Sequence, residues 1–320
     1  MFRKSIFALL IVIFLATCGP AATAIPTQTP APTALPNPTP TSPAIQLTDG
    51  LNRPVSLPGP VQRIVSLAPS NTEILFAVGA GKQVVGRDSF SDYPEAAKTV
   101  QDIGGSMGKY NTEALVALHP DLVLAGEINP PELVNSLQQL GLTVYYLKNP
   151  TTLEEIYANV ETVGSLTGHA AQAKTLVDSF KARVSAVDDR VAQFSSRPTV
   201  YYELDATEPT KPYTAGPGTF VSLLISRAGG NNVGDSMTSQ WAQISLEQLV
   251  VANPNIIVLG DSAYGISAES VKSRSGWEVL DAVKNDRIFP FDDNLVSRPG
   301  PRLVDGLEAL AKLLHPNAFK

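Results

Sequence analysis

Apolar residues fall along this chain in two alternating patterns: short continuous runs, and stripes at helical spacing. The runs Ile64 to Leu67, Val84 to Gly86, Leu122 to Leu124, Val144 to Leu147, Thr199 to Tyr202, Ile256 to Leu259 and Arg287 to Phe291 predict strands. Between them, Glu132 to Leu140, Phe220 to Ala228, Trp277 to Val283 and Leu303 to Leu314 predict helices. Ser70-Asn71-Thr72-Glu73 reads as a capping box opening a further helix through Ile74, Leu75 and Val78, which Gly79 and Gly81 can end. Asp49-Gly50 reads as a hairpin turn between Ile45 to Leu47 and Val55 to Leu57. Strands that alternate with helices and are apolar throughout imply mostly parallel sheets covered on both faces, an α/β fold.

The pattern also repeats. Asn111 to Gly126, NTEALVALHPDLVLAG, returns as Ser245 to Gly260, SLEQLVVANPNIIVLG, with Glu113 over Glu247, Pro120 over Pro254 and Gly126 over Gly260. Each copy reads as a short helix, a Pro-containing turn and an apolar strand. Two Rossmann-like lobes follow, with a cleft between them where a small ligand binds; the alternative is coincidence between two common helix-strand units. After Thr151-Thr152-Leu153-Glu154 caps one helix, a second stripe runs Leu176, Phe180, Val184, Val187, Val191, Phe194. A helix from Ala170 to Phe194 would be ~35–40 Å long, enough to cross between lobes. Packing within one lobe is the alternative, against which the strand starting at Thr199 argues. The expected organisation is an N-terminal lobe over 45–168, a bridging helix over 169–197 and a C-terminal lobe over 198–320.

The N-terminus changes the picture of where such a fold works. Arg3 and Lys4 precede an apolar run, Ile6 to Ala16, that is shorter than the ~20 residues of a spanning helix, so residues 1–17 read as an export signal. Leu15-Ala16-Thr17-Cys18 resembles a bacterial lipobox, which makes Cys18, the sole cysteine, the expected lipid anchor to the membrane. The alternative is cleavage after Ala24, with Cys18 a stray residue. Residues 18–44 are dominated by Pro, Thr and Ala and read as a semi-rigid tether; a disordered tail without an anchoring role would have the same composition.

Charge and chemistry narrow the function. A formal net charge of −6, with no basic stripe, argues against nucleic acid as a partner. His119, His169 and His315 have no metal-ligand spacing to a second His or Cys, and no nucleophile elbow, phosphate loop or dinucleotide fingerprint occurs. A secreted enzyme is therefore the disfavoured alternative to a binding protein. No cofactor is expected, and a monomer is.

Arg63-Ile64-Val65-Ser66-Leu67-Ala68-Pro69-Ser70-Asn71-Thr72-Glu73, then Ser89-Phe90-Ser91-Asp92-Tyr93-Pro94 and the two repeat copies, resemble the class III solute-binding proteins of ABC importers, most of all their cobalamin-binding branch. The likeness runs from about Ile45 to the C-terminus. It implies two lobes bridged by one long helix and a ligand held between them: cobalamin or a related corrinoid first, an iron-siderophore or haem as the alternative. It further implies ligand contact by Phe90, Tyr213, Trp241 and Arg298, and docking of Glu113 and Glu247 onto arginines of a permease dimer. Two tryptophans of that branch, one before Met107 and one at Gly126, are absent here. Plainer roles stay open for each residue: core packing for the aromatics, a solvated or capping arginine, and helix-start acids that gain ~0.3–1 kcal/mol from the helix dipole.

Overall fold

The computed structural model describes residues 44–105 and 108–319; the expected signal segment, Cys18 and all of the tether but Ala44 lie outside the described residues. The described residues form one compact unit. A hairpin of β1 (Ile45–Thr48) and β2 (Pro54–Leu57) leads into β3 (Ile64–Ser66), α1 (Pro69–Ala77), β4 (Val84–Arg87), α2 (Thr112–Ala117), β5 (Leu122–Gly126), α3 (Pro131–Gln139) and β6 (Val144–Leu147). Their four-stranded sheet has the order β4-β3-β5-β6 and is parallel throughout. Two helices follow, α4 (Leu153–Thr167) and α5 (Ala170–Val191). Beyond them come β7 (Thr199–Asp205), β8 (Tyr213–Ala215), α6 (Phe220–Arg227), β9 (Asn231–Asn232), β10 (Trp241–Gln243), α7 (Leu246–Ala252), β11 (Ile256–Leu259), α8 (Ala268–Lys272), α9 (Asp281–Lys284), β12 (Ile288–Pro290) and α10 (Leu303–Leu314). This second sheet is mixed: β7, β11 and β12 are parallel, while β8 and β10 add an antiparallel ribbon at one edge.

Period-2 alternation divides each sheet between two cores. Ile64, Leu122 and Leu124 face a large cluster that also takes in Val160, the long helix and, from the second half, Val200, Leu224 and Leu307. Val65, Val123 and Val144 face outward onto Leu115, Val134 and Leu137, and in the second half Tyr201, Ile257 and Leu259 face Trp277 and Leu280. The shared core runs through α5, whose buried positions are Ala173, Val177, Phe180, Val184 and Val187. At 1.5 Å per residue α5 is ~33 Å long. It ends at Val191, short of the predicted Phe194, whose ring instead lies 4.9 Å from that of His315.

Three local expectations change. Thr152 caps α4, but its partner in the capping box is Glu155, one residue beyond the predicted tetrad. The helix predicted over Trp277 to Val283 shrinks to α9, because Trp277 is wholly buried in a turn where its indole N–H donates to the Pro209 carbonyl at 3.1 Å. The predicted capping box at Ser70 to Glu73 does not form. Helix α1 starts earlier, with Pro69 in its first turn and no side-chain cap, since a proline there needs no N–H partner. All four polar residues are buried, and Asn71, Thr72 and Glu73 bond to partners outside the helix instead. Asn71 donates to the Leu124 carbonyl at 3.2 Å, and Thr72 meets the hydroxyls of Ser66 and Ser91 at 2.8 and 2.7 Å.

Glu73 makes the most consequential of these contacts. Arg302, from the start of α10, donates to both of its carboxylate oxygens at 2.9 and 2.6 Å, and Arg298 lies 3.4 Å away. The Glu73 side chain is 1 % exposed and the arginines 12 and 15 %. The segment bearing them presses so closely on α1 that a Cβ at Gly300 would sit 3.2 Å from the Ser70 carbonyl oxygen. An ion pair this deeply buried, linking the two sheet-bearing halves, is costly to break from one side, because the surviving charges keep their desolvation penalty. Glu73→Ala is expected to lower unfolding free energy by about 3–5 kcal/mol in denaturant titration. Arg183, paired with Asp305 and Glu308 but about one third exposed, should cost no more than about 1 kcal/mol on replacement by alanine. Equal losses at the two sites would contradict the assignment.

Candidate functional site

The carboxyl ends of the parallel strands point from both halves into one cleft, as open α/β sheets place their ligand crevices. Residues just past β3 (Ala68, Pro69), β5 (Glu127, Ile128) and β6 (Lys148, Asn149, Pro150) form one wall. Residues past β11 (Tyr264) and β12 (Asp293, Asn294, Ser297, Arg298), with Gly218 to Phe220 and Gln240-Trp241, form the other. The enclosed volume is about 840 Å³, within the ~300–1,000 Å³ range of small-molecule sites.

Three of the four predicted ligand residues meet here. Phe90, half exposed, reaches the cleft from a loop after β4 that Asp88 organises: its carboxylate accepts from the Phe90 amide at 2.9 Å and from the Ser91 hydroxyl. Burial raises the Asp88 pKa, against the hydrogen bonds that lower it. Trp241, also half exposed, comes from the opposite side on β10, and buried Phe220 supports it edge-on at 5.8 Å between ring centres. Tyr213 lies two residues further along the β8–β10 ribbon, opposite Gln243, and lines a shallower depression with Trp241 rather than the cleft itself. Arg298 lines the cleft, but its guanidinium is engaged with Asp92 at 2.6 Å as well as with Glu73. Burial alone would raise the Asp92 pKa; the Arg298 hydrogen bond and charge outweigh it and hold that carboxyl below its ordinary value.

Ile128 and Tyr264 line the cleft although the sequence reading did not single them out. Both stand a few residues after the glycine that ends each repeat copy, Gly126 and Gly260, and that position was the available signal. The repeat is otherwise matched in backbone detail. Asn111 and Ser245 cap α2 and α7 with their side chains, and His119 and Asn253, each preceding proline, adopt left-handed φ values of 45° and 42°. Glu113 and Glu247 are each the second residue of their helix and are exposed. Each helix feeds its strand through a short turn, so its N-terminus lies towards the carboxyl ends of the strands, the edge that bears the cleft. The Glu247 pKa is lowered, first by its own backbone amide and then by Ser245. Among the described residues no cluster of metal-ligating side chains occurs, and no helix is long and apolar enough to cross a membrane.

Beneath the turn that carries Tyr264 lies a buried acid. Asp261 is 4 % exposed, and one of its carboxylate oxygens has no hydrogen-bond partner. Burial first, then the neighbouring Glu203 carboxylate, raise its pKa from 3.8 to about 7. Glu203 is itself held by Arg274 through two hydrogen bonds of 2.6 and 2.8 Å. Between these two pKa values the native state keeps a proton that the unfolded chain has released, so stability falls as pH rises through that window. Asp261→Asn should flatten the decline in denaturation midpoint between pH 5 and pH 7.5. An unchanged slope would place the titrating group elsewhere.

Comparison with known proteins agrees with this geometry. The chain is 33 % identical over 279 residues to an uncharacterized ABC transporter substrate-binding lipoprotein, YvrC, of Bacillus subtilis (strain 168), covering 86 % of this chain and 87 % of that one. It is 32 % identical over 317 residues to a cobalamin-binding protein of Halobacterium salinarum, covering 97 % of this chain and 84 % of that one. Among solved structures, the periplasmic heme-binding protein RhuT from Roseiflexus sp. RS-1 in apo form superimposes with a TM-score of 0.72 at 27 % identity, over 80 % of this chain and 99 % of that one. Residues 64–295, which span both walls of the cleft up to Asn294, match the model of one family, and the chain belongs to it: the periplasmic binding proteins.

Proposed function

We propose that this protein is the extracytoplasmic receptor of an ABC importer, held to the membrane through Cys18, and that it captures cobalamin or a related corrinoid between its lobes. The observation that carries this reading is the opposition of Phe90 and Trp241 across one cleft. Aromatic side chains on separate walls of one cleft suit a flat ligand with two apolar faces. The relatives point the same way, since a corrinoid and a haem, named for two of them, are both flat macrocycles.

The cleft's charge favours the corrinoid over the haem. Its charged lining residues are two cations, Lys148 and Arg298, and two acids, Glu127 and Asp293; Arg298 is committed to Asp92 and Glu73, and Glu127 accepts from the Asn149 amide at 2.8 Å. The remaining acid, Asp293, accepts from the Tyr202 hydroxyl at 2.7 Å, and burial raises its pKa. The lining carries no net positive charge to meet an anionic ligand, such as haem with its two propionates or a ferric tricatecholate with its charged phenolate oxygens. Asn149, Thr151, Gln240, Asn294 and Ser297 offer hydrogen bonds suited to the amide-rich rim of a corrinoid.

Glu113 and Glu247 supply the docking contacts in this reading. Two like lobes with one exposed acid each can sit across a two-fold permease dimer, one charge per subunit, so the pair fixes register and steers encounter more than it adds affinity.

Three outcomes follow. Trp241→Ala should weaken corrinoid binding by ~1–3 kcal/mol in calorimetric titration, as loss of a large aromatic contact does; wild-type affinity would return Trp241 to a packing role. Replacing Glu113 and Glu247 together by Gln should leave folding and ligand affinity unchanged while uptake falls sharply, each single change giving an intermediate loss; normal uptake by the double variant would reduce both residues to helix-start acids. Cys18→Ala should move the protein from the membrane fraction to the soluble extracytoplasmic one, and continued membrane retention would refute the anchor.

A further inference from the structure

Large apolar side chains left exposed are ordinary when scattered, and informative when they converge. Among the described residues, Phe90, Ile128, Trp241 and Tyr264 combine substantial exposure with a place in the cleft, two on each wall. Ile128 is 69 % exposed and Tyr264 88 %, more than Phe90 or Trp241. They also occupy related places in the duplicated plan, each in the connection that leaves the terminal strand of its repeat copy.

The backbone beneath them is firmly held. Next to Ile128, the Asn129 side chain accepts from the Gly126 amide at 2.9 Å and donates to the Tyr110 hydroxyl at 2.7 Å and the Leu67 carbonyl at 3.2 Å, itself 1 % exposed. Before Tyr264, the Ser262 hydroxyl donates to the Phe291 carbonyl at 3.0 Å, and Asp261 is buried; after it, Gly265 takes the left-handed φ of 90° that turns the chain away. A side chain that projects bare from an anchored turn loses little backbone freedom when a ligand covers it. That is the arrangement a preorganised contact needs.

From this placement we infer that Ile128 and Tyr264 form a second apolar clamp, one side chain from each lobe, gripping the same ligand that Phe90 and Trp241 hold. The inference rests on the reading of the cleft as the ligand site and makes it more specific. A ligand that touches all four side chains must reach both walls of a cleft of about 840 Å³ at once, so the second pair selects macrocycles over small chelates. Tyr264 acts through the face of its ring, and its hydroxyl is dispensable.

The test is calorimetric titration of the full-length protein with cyanocobalamin, for wild type, Ile128→Ala, Tyr264→Ala, Tyr264→Phe and Trp241→Ala, with thermal midpoints as the control for folding. Because both clamp residues are exposed, their variants should keep the wild-type midpoint. Tyr264→Ala should raise Kd about tenfold and Ile128→Ala about threefold to tenfold, while Tyr264→Phe stays within about twofold of wild type. If Trp241→Ala weakens binding but Tyr264→Ala and Ile128→Ala do not, the second clamp is overturned and the proposed function stands. A loss in Tyr264→Phe as large as in Tyr264→Ala would transfer the contact to the hydroxyl and overturn the apolar clamp. If the wild type fails to bind cyanocobalamin, the corrinoid reading and the clamp fall together.

Discussion

A carboxylate with almost no exposure to water, Glu73, sits between two arginines from the other half of the chain, and the geometry of the cleft depends on it. Glu73 lies one helical turn below Pro69 and Ser70, which line the cleft. Arg298 passes from Glu73 to Asp92, two residues from Phe90, and Arg302 stacks at 4.3 Å over Tyr93 in the same loop. One network therefore sets both the spacing of the lobes and the presentation of Phe90. Buried ion pairs are weak evidence of net stability, since a well-packed apolar replacement can do as well. They are better suited to fixing one arrangement over others, because a lobe shift that separated Glu73 from Arg302 would strand charges away from water.

The apolar interior adds to this restraint. A single core passes from the first sheet through α5 to α6 and α10, so hinge motion about the long helix must disturb packed side chains as well as the ion pairs. A cleft of set width suits a rigid, flat ligand, whose binding then carries little cost of reorganisation. The aromatic and aliphatic contacts line that cleft from β10 and from the loops after β4, β5 and β11, among uncharged hydrogen-bonding groups and equal numbers of cations and acids.

Much of this was legible in the sequence because it follows from local periodicity. Continuous apolar runs marked strands buried on both faces, and α10 has the bounds read from its stripe. The duplicated helix-strand unit was visible as an aligned repeat, and the structure matches it down to the left-handed residue before each proline. What was not legible depends on partners far away in the chain. Ser70 to Glu73 has the composition of a capping box, but Pro69 already starts the helix, and Asn71, Thr72 and Glu73 are drawn to partners outside it, for Glu73 some 225 residues away. Arg298 was expected to face the ligand; nothing in its neighbourhood in sequence shows that Asp92 and Glu73 claim its guanidinium. Tyr213 and Trp241 look alike in sequence, and only the register of β8 against β10 separates the one beside the cleft from the one inside it. Ile128 and Tyr264 lie in turns without periodicity, where their place after the glycine that ends each repeat copy was the one sign of what they meet.

The structure of the protein bound to cyanocobalamin tests the central claim most directly. The account predicts the corrin ring between Phe90 and Trp241, its amide rim against Asn149, Gln240 and Asn294, and the Glu73 ion pairs intact with the two lobes in their present relation. A corrinoid seated outside the cleft, or lobes rotated so that Arg302 has left Glu73, would contradict it.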